Sequence, residues 1–230
     1  MRMIKVMIAC AVVVAFTVLG FGQTNPSKNE LSPSDFLNRH VGENIDKHFT
    51  TIEAFKYALS HTQVPGGVVV VQDCQAQSEA KNWNPGGLPL RDVLNSLVNA
   101  DPHYRMMVDN KTVNLIPTDG MPSVLNTKIS KFDIENVDLS NVDNALNALL
   151  ELKEVNDAIT EAHLIPPQGT MIGSWLTSPP KSKYFSVHCE NLTLREVLNA
   201  IVHAQGRAVW MYWERRCNGQ TEYIFDFVIR

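Results

Sequence analysis

Thirteen residues near the C-terminus, Leu192 to Ala204 (LTLREVLNAIVHA), restate thirteen residues that lie 104 positions earlier, Leu88 to Ala100 (LPLRDVLNSLVNA). Eight positions are identical without a gap, and Asp92/Glu196 and Leu97/Ile201 are conservative exchanges. A repeat constrains architecture before it constrains chemistry, because each copy has the same apolar face to bury. In the first copy that face is Leu90, Val93, Leu94 and Leu97; in the second it is Leu194, Val197, Leu198 and Ile201. Spacings of i, i+3, i+4 and i+7 are those of an amphipathic α-helix. The shared residues are therefore helix core, and function has to be sought where the copies differ.

The rest of the chain sorts around these two helices. Thr50 and Glu53 have capping-box spacing ahead of Ile52, Phe55 and Leu59, as do Thr193 and Glu196 ahead of the second copy. Ser140 and Asp143 have cap spacing before Val142, Leu146, Leu149 and Leu150. Gly66-Gly67 breaks the first helical pattern, and the β-branched run Val68 to Val71 predicts a strand. Tyr104 to Val108 and Thr112 to Ile116 predict a hairpin, and a strand-like stretch covers residues 127–134. Tyr184 to Cys189 predicts a strand, Gly206 a helix stop, and Ala208 to Glu214 with Thr221 to Ile229 a hairpin across Asn218-Gly219. The first and third helices match at an offset of 90. The expected fold is α+β: two related modules, residues 42–120 and 124–230, each of βα and βαββ units with helices on small mixed sheets. Residues 73–89 and 163–183 are predicted irregular, the second carrying Pro166-Pro167 and Pro179-Pro180.

At the other end of the chain, Arg2 and Lys5 precede an apolar run from Val6 to Leu19, with small residues to Gly22. This is the pattern of a signal peptide over residues 1–22, followed by a flexible polar leader, 23–41. Its removal takes Lys+Arg from 20 to 18 against 24 Asp+Glu, a net charge of −6. Such a chain is a poor candidate for sequence-independent nucleic-acid binding, which depends on neutralising phosphates.

Export permits disulfides, and Cys74, Cys189 and Cys217 remain. If strand, helix and strand alternate in direction, Cys189 and Cys217 fall at the same end of the last unit. A Cys189–Cys217 disulfide is then expected, leaving Cys74 free; the alternative is separate thiols. His188-Cys189-Glu190 contains metal-capable side chains, but strand alternation sends Cys189 to the opposite face from the other two. No catalytic motif, metal site or cofactor fingerprint occurs, so neither enzyme activity nor a cofactor is expected. Candidate partner-binding residues are Trp83 and Trp175, in the two irregular segments, and Trp213, Arg215 and Arg216, in the aromatic last hairpin. Loop tryptophans either mark recognition sites or anchor the loop to its own domain.

The order of strand, Leu-x-Leu-Arg-Glu-Val-Leu-Asn-x-Ile-Val helix, strand, Asn-Gly turn and strand resembles the short N-terminal domain of secretins and TonB-dependent receptors. The likeness covers residues 184–230 best and 88–117 well. It implies small βαβ units that dock protein partners in the bacterial periplasm. The expectation is thus an exported, non-enzymatic interaction protein with an envelope-protein partner in transport, secretion or signalling, and no membrane insertion after signal cleavage. The alternative is a ligand-binding protein with a groove between the modules, covered by segments 73–89 and 163–183.

Overall fold

The computed structural model describes residues 36–42, 47–74, 79–139, 141–166 and 183–228. The expected signal segment, residues 1–22, therefore lies outside the described residues. Leu31–Arg230 is one compact unit. Its described elements are β1 (Lys47–Phe49), α1 (Thr51–Thr62), β2 (Gly66–Asp73), β3 (Lys81–Trp83), α2 (Leu90–Ala100), β4 (Tyr104–Asp109), β5 (Thr112–Pro117), β6 (Lys128–Asp138), α3 (Asp143–Leu150), α4 (Lys153–Glu161), β7 (Leu164–Ile165), β8 (Tyr184–Thr193), α5 (Leu194–Gln205), β9 (Val209–Cys217) and β10 (Gln220–Val228). The class is α+β.

Six strands form one mixed sheet in the order β4-β5-β2-β9-β10-β7. It contains the same three-stranded unit twice. In each, a hairpin lays its second strand parallel to a strand that follows a helix earlier in the chain: β5 on β2, which follows α1, and β10 on β7, which follows α4. The units meet where β2 pairs in parallel with β9 over eight residue positions. Because β4 is antiparallel to β5, and β5 is parallel to β2, β9 runs opposite to its counterpart β4. Keeping the left-to-right order while reversing the strands turns the second unit over. Its helices must then lie on the opposite face of the sheet.

The core confirms the inversion. Val68, Val70, Val113, Leu115, Val209 and Met211 pack with α1 and α2 on one face. Val69, Ile116, Trp210, Tyr212, Phe225 and Phe227 pack with α3, α4 and α5 on the other. A strand buried on both faces needs a continuous apolar run rather than alternation, which is why β2 reads GGVVVV. Both glycines belong to the strand rather than to a break before it. A Cβ on Gly67 would sit 2.0 Å from Trp210 Cε2, and one on Gly66 would sit 2.2 Å from Leu59 Cδ1. Each glycine thus admits a large side chain against the sheet, one on each face.

Both capping boxes form as the spacing predicts, at Thr50/Glu53 and Thr193/Glu196. Asn218 and Gly219 both take positive φ in the last hairpin turn, as Asn-Gly requires. Two expectations are corrected. The leader does not extend to residue 41: Phe36 and Val41 are buried, and the Arg39 carbonyl accepts the Leu90 N–H at 2.8 Å. Residues 81–83 form β3 against β1, stabilised by Trp83 packing edge-on to Phe49 and Tyr57. A further helix, α4, follows α3, and its Val155, Ala158 and Ile159, with Ala162 at its C-cap, bring one narrow apolar face to the core. Finally β6 and β8 make a separate antiparallel pair, and β8 runs directly into α5.

Candidate functional site

The two three-stranded units of the sheet are joined covalently as well as by hydrogen bonds. Register places Asp73 beside Arg216, so the next residues, Cys74 and Cys217, emerge side by side with Cα atoms 5.1 Å apart and form a disulfide. The expected Cys189–Cys217 bond is therefore corrected. Cys189 lies on β8, in the separate β6–β8 pair, and its thiol is buried among the core residues around α5. Burial raises the Cys189 pKa, so it is an unreactive core thiol. Along β8, His188 and Glu190 face solvent while Cys189 points inward, as strand alternation requires. Among the described residues no group of three or more His, Cys, Asp or Glu is arranged to hold a metal ion.

At the disulfide end of the sheet lies an open-sided cleft of about 1160 Å³. Its floor is the C-terminal ends of β2 and β9, including Asp73, Glu214 and Arg216. One wall comes from the first module, with Thr51, Lys81 and Asp101, and the other from the second, with Leu164 and Thr221. The lining is mixed in charge, and part of it is tied internally. Thr51 Oγ1 donates to Asp101 Oδ2 at 2.8 Å, and Asp101 Oδ1 pairs with His103 Nδ1 at 3.0 Å. Burial works to raise the Asp101 pKa, but these bonds outweigh it and hold the carboxyl below its usual range. Burial, with the nearby Asp101 charge, pushes Tyr104 up to about 12. The Tyr212 hydroxyl donates to Glu214 Oε1 at 2.6 Å, and Arg216 Nη2 lies 3.6 Å from Glu214 Oε2.

The candidate partner-binding residues do not converge. Trp83 and Trp213 are half-buried and pack against the α1/α2 core. Arg215 pairs across the hairpin with Glu222 at 3.2 Å, on the same face as Trp213. Arg216, one residue on, points to the other face and into the cleft. Trp175 lies outside the described residues.

A different element offers an accessible surface. β4 is the outermost strand of the six-stranded sheet. Its hairpin turn, Asn110-Lys111, has positive φ at both residues (45° and 64°), a two-residue turn matched to the twist of the strands. The bond from the Thr118 N–H to the His103 carbonyl (2.9 Å) sets the phase of the ladder. Alternation then turns the backbone groups of Arg105, Met107 and Asp109 toward β5, and those of Met106 and Val108 away from the sheet. β4 contains no proline, lysine or register shift, and its charges, Arg105 and Asp109, stand at either end of the apolar Met106-Met107-Val108. Val108 is 45% exposed, one of three large apolar residues exposed among those described. At the opposite end of the sheet, β7 pairs with Thr221 and Glu222 of β10.

No helix among the described residues is long and apolar enough to cross a membrane. No family model, curated protein or solved structure matches this chain.

Proposed function

We propose that the protein is an exported, non-enzymatic docking module whose docking element is the open edge of β4, and that its partner is a protein of the bacterial envelope. The observation that carries this reading is the combination of outward-facing Met106 and Val108 backbone groups with an exposed apolar side chain. An extended polypeptide can add there as a further strand, its main chain supplying affinity and the alternate side-chain positions supplying specificity. The Cys74–Cys217 bond supports an oxidising compartment such as the periplasm. The resemblance of the repeated units to the short N-terminal domains of secretins and TonB-dependent receptors belongs to the same proposal. The test is a photo-crosslinking residue at Val108, with the exposed Tyr184 as control site. A discrete polypeptide adduct at Val108 alone, lost on Met106→Pro, which removes an outward-facing N–H, is expected. Equal labelling at both sites would refute an edge-docking role.

One observation favours a second reading, a ligand-binding protein. The cleft is lined by both modules and includes Asp73 and Lys81 from one predicted covering segment and Leu164 from the other. Small-ligand sites are mostly apolar and enclosing, whereas this cleft is open and two pairs of its charges, Asp101–His103 and Glu214–Arg216, are tied to one another. A small molecule retained through purification, and released by Arg216→Glu, would shift the assignment to this reading.

A further inference from the structure

The β4 edge has a property that generic strand addition does not require: it complements itself. Arg105-Met106-Met107-Val108-Asp109 carries a cation at one end, an anion at the other and apolar residues between. In antiparallel pairing about Met107, position 105 of one chain faces position 109 of the other, 106 faces 108, and 107 faces 107. Arg105 would oppose Asp109 twice over, and Met106 would cover the exposed Val108 twice over. The hydrogen-bond phase also fits. Met106 and Val108 present outward backbone groups, so each 106–108 pair exchanges both of its bonds, giving four. Met107 then lies opposite its own copy in a close, non-hydrogen-bonded pair. Registers shifted by one residue put Arg105 opposite Val108 or Asn110 and oppose outward-facing backbone groups to ones turned toward β5, which breaks the hydrogen-bond phase. Opposite charges directly across a strand pair stabilise it and like charges oppose it. Within its own chain Asp109 Oδ2 lies 3.3 Å from the largely buried guanidinium of Arg195 on α5, so Arg105 of a second copy would join an existing ion pair.

We infer that the strand covering this edge is β4 of a second copy of the same chain, paired antiparallel about Met107 into a continuous twelve-stranded sheet with two-fold symmetry. This inference rests on the proposal that β4 is a docking edge, and names its occupant. Strand pairing of this length is a small interface, so a concentration-dependent dimer is expected rather than an obligate one.

The test uses the full exported chain with its disulfide intact. Met107→Cys should cross-link under mild oxidation about tenfold faster than Met106→Cys, because only position 107 brings its own Cβ within disulfide reach. Sedimentation should show Arg105→Asp and Asp109→Arg each monomeric, and an equimolar mixture dimeric, since the exchanged charges pair again in the heterodimer. Circular dichroism establishes that both variants are folded. If Asp109→Arg does not fold, the cysteine pair decides alone. Equal cross-linking at 106 and 107, or a chain that stays monomeric at its solubility limit, overturns the self-pairing. The crosslinker at Val108 separates the two claims. An adduct of twice the chain mass supports self-pairing. A heterologous adduct from a monomeric chain leaves the docking edge standing and removes the second copy. No adduct in either form removes both.

Discussion

α2 and α5 are near-copies in sequence and occupy unlike places in the molecule. Each uses its four shared apolar positions to cover the sheet, but they cover opposite faces. Each receives a backbone carbonyl at its first N–H, Arg39 for Leu90 and Thr127 for Leu194, both at 2.8 Å. There the likeness ends. Pro89 gives α2 no side-chain cap, while Thr193 and Glu196 close a full capping box on α5. Asn95 is exposed, but its twin Asn199 is buried and accepts the Trp210 Nε1–H at 2.8 Å. Asp101, which caps the end of α2, is replaced by Gln205, which donates to the Leu139 carbonyl. The second hairpin is long, aromatic and central; the first is short and at the edge. Tandem repeats that pair side by side leave one unpaired flank of the first unit, and that flank is β4. Duplication thus accounts for both the shared core and the exposed edge.

The comparison breaks most severely at the junction of the copies. Cys74→Ser removes a crosslink between residues 143 apart. Chain entropy sets its contribution at up to about 5 kcal/mol. A large drop in the denaturant midpoint is expected, while Cys189→Ala at the other cysteine leaves the crosslink intact. Equal destabilisation by the two would refute the pairing.

A sharper comparison is the asparagine pair. Asn199→Ala strands a buried indole N–H and should cost about 1–3 kcal/mol, whereas exposed Asn95→Ala should stay within about 0.5 kcal/mol. Thermal unfolding of the two variants side by side measures the difference. Similar shifts would mean that the copies are energetically alike after all.

The smallest expected effect is a pH difference between the helix ends. The folded-state pKa of Asp101 is depressed, so its contribution is full above the usual carboxylate range and is lost as pH falls through the folded value. Gln205 does not titrate. Hydrogen exchange at acidic pH should therefore show the last turn of α2 opening while that of α5 keeps its protection. Asp101→Asn should remove the pH dependence.

Much of the local structure was legible. Capping boxes, the Asn-Gly turn and the 3.6-residue periodicity are short-range signals, and Thr50, Thr193, Asn218 and the two helix faces carry them without reference to the rest of the chain. α4 was legible in principle, from Val155, Ala158, Ile159 and Ala162, but its polar remainder masked a single narrow stripe. β3 was not legible, because three residues have no periodicity and Lys81–Trp83 is a strand only through β1. The cysteine pairing carried one overlooked signal. An unbroken GGVVVV run implies a strand with neighbours on both sides, and Cys74 ends that strand.

The amino-acid sequence by itself determined that there are two copies, where their helices begin, and which face of each is apolar. These follow from interactions among residues a few positions apart, which any chain segment carries with it. Tertiary structure decided that β2 pairs with β9, that the second copy is inverted, that Cys217 joins Cys74 rather than Cys189, and that β4 is left at the edge. These depend on side chains meeting across more than a hundred residues, as when the Trp210 ring settles against Gly67. No local pattern encodes such a meeting; it is selected by the summed packing of both faces of one shared sheet.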